Sequence, residues 1–118
     1  MELTHDFRQR TALLLGDERM ARLQNARVAV FGLGGVGGAC AEALCRAGVG
    51  RLTLVDNDTV SLSNINRQIV ALHSTVGQPK TAALRARLVC SRVSRTRVSR
   101  FSTGSPSLGD RARHRISA

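Results

Sequence analysis

The sequence predicts an α/β fold: the N-terminal half of a doubly wound parallel sheet, followed by a disordered basic tail. Three observations carry this. An apolar β-branched run ends in the glycine loop Gly32-Leu-Gly-Gly-Val-Gly37, after which the spacing becomes helical; a second apolar run ends in Asp56; and the composition changes at about residue 90. The boundaries are a nucleotide-binding part at 1–89 and an Arg/Ser-rich tail at 90–118.

In chain order, helical spacing at 17–24 predicts a first helix, and Arg27-Val-Ala-Val-Phe31 is a short run of the kind buried in a parallel sheet. After Gly35, the residues Val36, Ala39, Cys40, Ala43, Leu44 and Ala47 fall on one helical face, which predicts a helix packed by that face, with Cys40 in the core. Glycine suits the turn between strand and helix because a side chain would keep the backbone from a pyrophosphate, whose charge the N–H groups of the helix start can meet. Gly32, Gly34, Gly35 and Gly37 are therefore candidate phosphate-binding residues.

Arg51-Leu-Thr-Leu-Val55 predicts the second strand, and Asp56 after it stands at the spacing of a ribose-binding acid. Asp56, Asn57 and Asp58 are also residues that favour a polar turn. Beyond them, Asn64, Asn66, Arg67 and Gln68 crowd polar groups where open α/β sheets hold ligands. Arg67 can grip phosphate oxygens as a planar fork, and Lys80 can add a point charge. Pro79 suits the first turn of a helix running over 79–88, which puts Lys80 at its N-terminal end. A cation there opposes the helix dipole unless an anion binds between them.

On these residues the chain resembles the ubiquitin-activating-enzyme-like superfamily with the ThiF-type NAD/FAD-binding fold, a Rossmann-like sheet. Within it the chain looks most like the tRNA threonylcarbamoyladenosine dehydratases. The resemblance covers residues 10–84 and rests on Arg10-Thr-Ala-Leu-Leu-Leu-Gly16, the glycine loop, Leu54-Val-Asp-Asn-Asp-Thr-Val60, Ser63-Asn-Ile-Asn-Arg-Gln68 and Val76-Gly-Gln-Pro-Lys80. It implies that Gly34 and Gly35 lie against the phosphates of ATP, that Asp56 holds the ribose, and that Asn64, Arg67 and Lys80 contact the triphosphate. Arg10 would reach across a homodimer into the partner's site. The implied reaction is adenylation of a carboxylate, with Arg67 and Lys80 answering charge at phosphorus, followed by cyclisation. In the dehydratases that carboxylate is the threonylcarbamoyl group of a tRNA adenosine. Related enzymes instead adenylate the C-terminus of a ubiquitin-like sulfur carrier. An NAD-dependent dehydrogenase would use the glycines and Asp56 but leave 64–68 and Lys80 unexplained.

The formal charge of +10 is concentrated in the tail: residues 1–84 carry nine Lys and Arg against seven acids, and residues 85–118 carry nine Arg against Asp110 alone. Such an arm suits RNA phosphates, so a basic RNA-binding module is a further reading. The loss of Lys, Tyr and Trp beside Arg and Ser is also what an out-of-frame reading of a GC-rich gene gives, and the aromatic strand and magnesium-binding Asp of relatives are not found after residue 84. A truncated or frameshifted copy, inactive alone, is therefore expected, with ATP and Mg2+ as cofactors and the magnesium ligand outside this chain. Two weak strand-forming stretches, 92–98 and 98–101, are not counted in the fold. Cys40, Cys45 and Cys90 have no paired ligand spacing and the three histidines do not cluster, so no metal site is assigned. Neither a bilayer-spanning run nor a signal-peptide pattern is present, which predicts a cytoplasmic protein without membrane insertion.

Overall fold

The strand Arg51–Val55 (β2) buries Leu52, Leu54 and Val55 because it is the middle strand of a parallel sheet. Arg27–Phe31 (β1) pairs on one side, with Arg27 opposite Arg51 and Phe31 opposite Val55. Arg97–Phe101 (β3) pairs on the other, with Arg51 opposite Arg97 and Val55 opposite Phe101. The order is β1-β2-β3. This is a computed structural model, and it describes residues 7–90 and 97–101.

Parallel neighbours need crossover connections. Helix α2 (Gly35–Ala47) joins β1 to β2, and α3 (Lys80–Cys90) lies between β2 and β3. One core cluster unites Val30, Leu52 and Leu54 of the sheet with Ala41 and Cys45 of α2 and Ala83, Leu84 and Leu88 of α3. Both helices thus cover the same sheet face. Leu33, Leu52, Leu54 and Leu84 are fully buried, and each such side chain contributes about 1.5–3 kcal/mol through removal from water. Glu42 of α2 accepts from Arg87 of α3 at 3.1 Å, which ties the helices together above that core.

Helix α1 (Gln9–Asn25) contains the expected 17–24 helix and extends it backward across a break at Gly16, where φ is 78° and ψ 166°. Only Met20 of α1 is buried, while Leu13 and Leu14 are exposed. Among the described residues no helix is long and apolar enough to cross a membrane.

Three expectations about packing change. Helix α2 turns Gly38, Ala41 and Cys45 inward, whereas Val36 is 87% exposed and Cys40 is exposed. The smallest residues face inward because the helix lies close: a Cβ on Gly38 would come 3.5 Å from Ile69 Cγ1. Apolar counting overlooks glycine and so places the face too far round the helix: Leu44 of the expected face does pack against the core, but Cys45 rather than Cys40 is the core cysteine. Strand β1 buries only Val30 and leaves Phe31 77% exposed, because in this sheet it is an edge strand. Residues 97–101, within the stretch read as a tail from residue 90, pair as β3. The β-branched and aromatic residues of Arg97-Val-Ser-Arg-Phe101 suit a strand, and β2 offers an edge to pair with. The remainder of the expected disordered tail, 91–96 and 102–118, lies outside the described residues.

Candidate functional site

The carboxyl ends of β1 and β2 converge on the glycine turn. Gly32 has φ 83°, a conformation open to glycine at little cost, and its N–H donates to Val55 O at 2.8 Å. A Cβ on Gly37 would overlap the Gly32 carbonyl oxygen. These two glycines are therefore required by the chain's own path. Gly34 and Gly35 differ: a Cβ there would meet nothing closer than Gln68 Nε2 at 3.8 Å and Arg67 O at 3.4 Å respectively. Their missing side chains leave open the approach to the N-terminus of α2, whose N-cap residue Gly34 supplies no side-chain cap. Uncapped N–H groups at the positive end of a 13-residue helix suit an anion.

Asp56 fixes this turn to β2. Its Oδ2 accepts from Leu33 N at 2.6 Å and its Oδ1 from Asp58 N at 2.7 Å. Each carboxylate oxygen keeps a further lone pair for another donor. Phe31, Gly32, Val55, Asp56, Asn57 and Asp58 line an open cleft of about 280 Å³ beside the turn.

The 3₁₀ turn Leu62–Asn64 carries the polar segment to the same place. Asn64 is buried and its Oδ1 accepts from Ser61 N at 3.0 Å, so that oxygen holds the turn and the amide nitrogen is the group left for a ligand. Arg67 is exposed, and its Nη1 donates to Ser63 O at 3.1 Å and to Asn66 Oδ1 at 2.9 Å. Gln68 is buried, a feature that sequence reading did not separate from its polar neighbours.

Lys80 arrives by a short antiparallel clamp. Thr59 bridges Pro79, Val60 N donates to Gln78 O at 2.8 Å, and Lys80 N donates to Asp58 O at 3.0 Å. The Lys80 side chain is 9% exposed, with Nζ 3.9 Å from Asp58 Oδ2. A buried ammonium at that distance from an exposed carboxylate is only partly compensated. Asp58, a turn-former by residue type, is also the counter-charge of Lys80. Arg10 lies exposed in the first turn of α1 and makes none of these contacts.

Among the described residues no group of three or more His, Cys, Asp and Glu could hold a metal. Of the two carboxylates near the turn, Asp56 takes two backbone N–H groups and Asp58 faces Lys80. This set does not fit the octahedral oxygen shell of magnesium.

Sheet, glycine turn and polar segment together define an α/β protein of the parallel-sheet class, in which ligands are generally held beyond the carboxyl ends of the strands. The ThiF family model matches residues 8–103, and the chain belongs to that family. The match runs past residue 84 and takes in β3. The chain is 52% identical over 86 residues to the tRNA threonylcarbamoyladenosine dehydratase of Bacillus subtilis, covering 73% of this chain and 34% of that protein. It is 53% identical over 68 residues to the molybdopterin-synthase adenylyltransferase of Salmonella typhimurium, covering 58% and 27%. The crystal structure of the Escherichia coli tRNA N6-threonylcarbamoyladenosine dehydratase in complex with AMP superposes with a TM-score of 0.73 at 40% identity, over 80% of this chain and 40% of that one. The same enzyme has also been solved in complex with ATP. The chain thus spans between about a quarter and a third of the length of these curated relatives.

Proposed function

We propose that this chain is the ATP-binding portion of an enzyme that activates a carboxylate by adenylation, and that the carboxylate is the threonylcarbamoyl group of a tRNA adenosine. The observation carrying this reading is the run of contacts that links the start of α2 to Lys80: Asp56 accepts from Leu33 N and Asp58 N, Asp58 faces the buried Lys80, and the Arg67 backbone oxygen lies 3.4 Å from where a Gly35 Cβ would be, beside an uncapped α2 N-terminus. Its substrate class is supported by the 52% identity to a dehydratase.

In this reading the phosphates of ATP lie along Gly34 and Gly35, and the ribose hydroxyls donate to the remaining lone pairs of Asp56. The substrate carboxylate attacks the α-phosphorus in line, and pyrophosphate leaves. Negative charge on the phosphoryl oxygens is answered by the Arg67 fork, the Lys80 ammonium, the Asn64 amide and the N–H groups of the α2 N-terminus; positioning and charge are the protein's contribution to such a step. The activated carbonyl is then closed by the modification's own nitrogen, releasing AMP. Arg10, on a helix that stands out from the core, is the group offered to a partner copy in a homodimer. Magnesium accompanying ATP would add charge at the phosphates, and its protein ligand would have to lie outside the residues described. A cytoplasmic setting follows from the tRNA substrate.

A second reading is favoured by the 53% identity to a molybdopterin-synthase adenylyltransferase: the same adenylation of the C-terminus of a ubiquitin-like sulfur carrier. Both readings use the same phosphate groups and differ in the carboxylate. Titration calorimetry with ATP and NAD tests the common part. ATP should bind more tightly; equal or tighter binding of NAD would instead favour a dehydrogenase-type site.

A further inference from the structure

The side chain of Gln68 does something that packing does not explain. The residue is 7% exposed, and its Oε1 is buried without a hydrogen-bond partner. A buried carbonyl oxygen that has lost water and gained no donor destabilises the fold. A leucine would fill similar space without that cost. The other end of the same carboxamide points at the helix start: Nε2 lies 3.8 Å from where a Gly34 Cβ would be, and Gly34 is the N-cap of α2. The backbone oxygen of the preceding residue, Arg67, lies 3.4 Å from where a Gly35 Cβ would be. The nitrogen end of a carboxamide is its positive end, and here it lies beside the N-cap residue of the helix whose start an anion would meet.

We propose that Gln68 is a further phosphate-contacting residue of this site, donating from Nε2 to a phosphate oxygen held at the N-terminus of α2. This rests on the reading of the site as a nucleotide site. A neutral donor suits the position, because Arg67 and Lys80 already supply charge, and a third cation packed beneath the glycine turn would have to be buried without a partner. The hydrogen bond to a charged acceptor offsets the unmet Oε1 only when the ligand is present. Gln68 therefore costs stability in the free chain and returns it as affinity.

The test compares ATP with adenosine in the full chain and in Gln68→Leu, Gln68→Glu and Lys80→Ala. Gln68→Leu should weaken ATP about tenfold, keep adenosine affinity within about twofold, and leave the thermal midpoint without ligand unchanged or higher. Gln68→Glu, which sets a carboxylate against phosphate, should weaken ATP further and spare adenosine. Unchanged ATP affinity in Gln68→Leu, or an equal loss of ATP and adenosine, would overturn the proposal and leave Gln68 a packing residue. If Gln68→Leu does not fold, Gln68→Asn, one methylene shorter, gives the same comparison. The nucleotide reading fails separately if the wild type does not bind ATP; Lys80→Ala binding it as well as the wild type does would remove only Lys80 from the phosphates.

Discussion

Asp56 Oδ2 accepts the backbone N–H of Leu33 at 2.6 Å across a separation of 23 residues. One carboxylate thereby sets the height of the glycine turn above β2, and its other oxygen shapes the Asp58 turn at 2.7 Å. The residue expected to hold a ribose is thus also a strut of the fold. Asp56→Ala should cost about 2 kcal/mol of stability, as for the loss of hydrogen bonds to a charged group, measured by urea denaturation. An unchanged midpoint would mean that the turn holds itself.

The same carboxylate predicts an order among nucleotides. ATP should compete best for the site, NAD less well, and NADP least, because a 2′-phosphate would face Asp56 as a like charge. Displacement of a fluorescent ATP analogue measures this order, and NADP competing as well as ATP would remove Asp56 from the ribose.

Two glycines five residues apart or fewer from Gly32 should respond in opposite ways. Gly37→Ala drives a methyl into the Gly32 carbonyl oxygen and should destabilise by more than about 4 kcal/mol. Gly34→Ala finds only the end of Gln68 at 3.8 Å, so it should fold within about 1 kcal/mol of wild type yet bind ATP more weakly. Circular dichroism melts beside calorimetric titrations separate the two outcomes; retained ATP affinity in Gly34→Ala would argue against close phosphate approach there.

Charge at the phosphates should be divided between Arg67 and Lys80, with Asp58 as a competitor. Alanine at Arg67 or Lys80 should weaken ATP by about tenfold to a hundredfold, corresponding to roughly 1.5–3 kcal/mol for a charge-assisted contact. Asp58→Asn should act oppositely and strengthen ATP several-fold, because Lys80 Nζ loses the carboxylate 3.9 Å away. Weaker binding in Asp58→Asn would instead make Asp58 a nucleotide ligand.

Residues 1–118 by themselves should release no pyrophosphate from ATP with threonylcarbamoyl-modified tRNA and magnesium. The described part has strands on one side only of β1, and a crevice at a topological switch point needs strands on both. Turnover above a Lys80→Ala control would show that this chain is a working enzyme.

The parts of this protein fixed by local rules were legible in its sequence. Short apolar runs, the glycine loop, Asp56 after the second run and Pro79 before the last helix place β1, β2, α2 and α3, because strand period, helix capping and turn chemistry are decided within a few residues. The contact of Asp56 with the glycine turn agrees with its expected place after the second strand, while the roles of Gly34, Arg67 and Lys80 toward a nucleotide remain what the family resemblance implies. Tertiary structure decided what each element packs against. Packing against Ile69 and the core turned Gly38 and Ala41 inward and left Val36 and Cys40 outside. Edge position stripped β1 of burial, and the free side of β2 recruited Arg97–Phe101 as a strand despite its weak local signal. The partners of Lys80 and Asp56, and the unmet oxygen of Gln68, depend on chain segments many residues apart meeting in space. No periodicity encodes such meetings, because long-range contacts follow from the way whole elements stack.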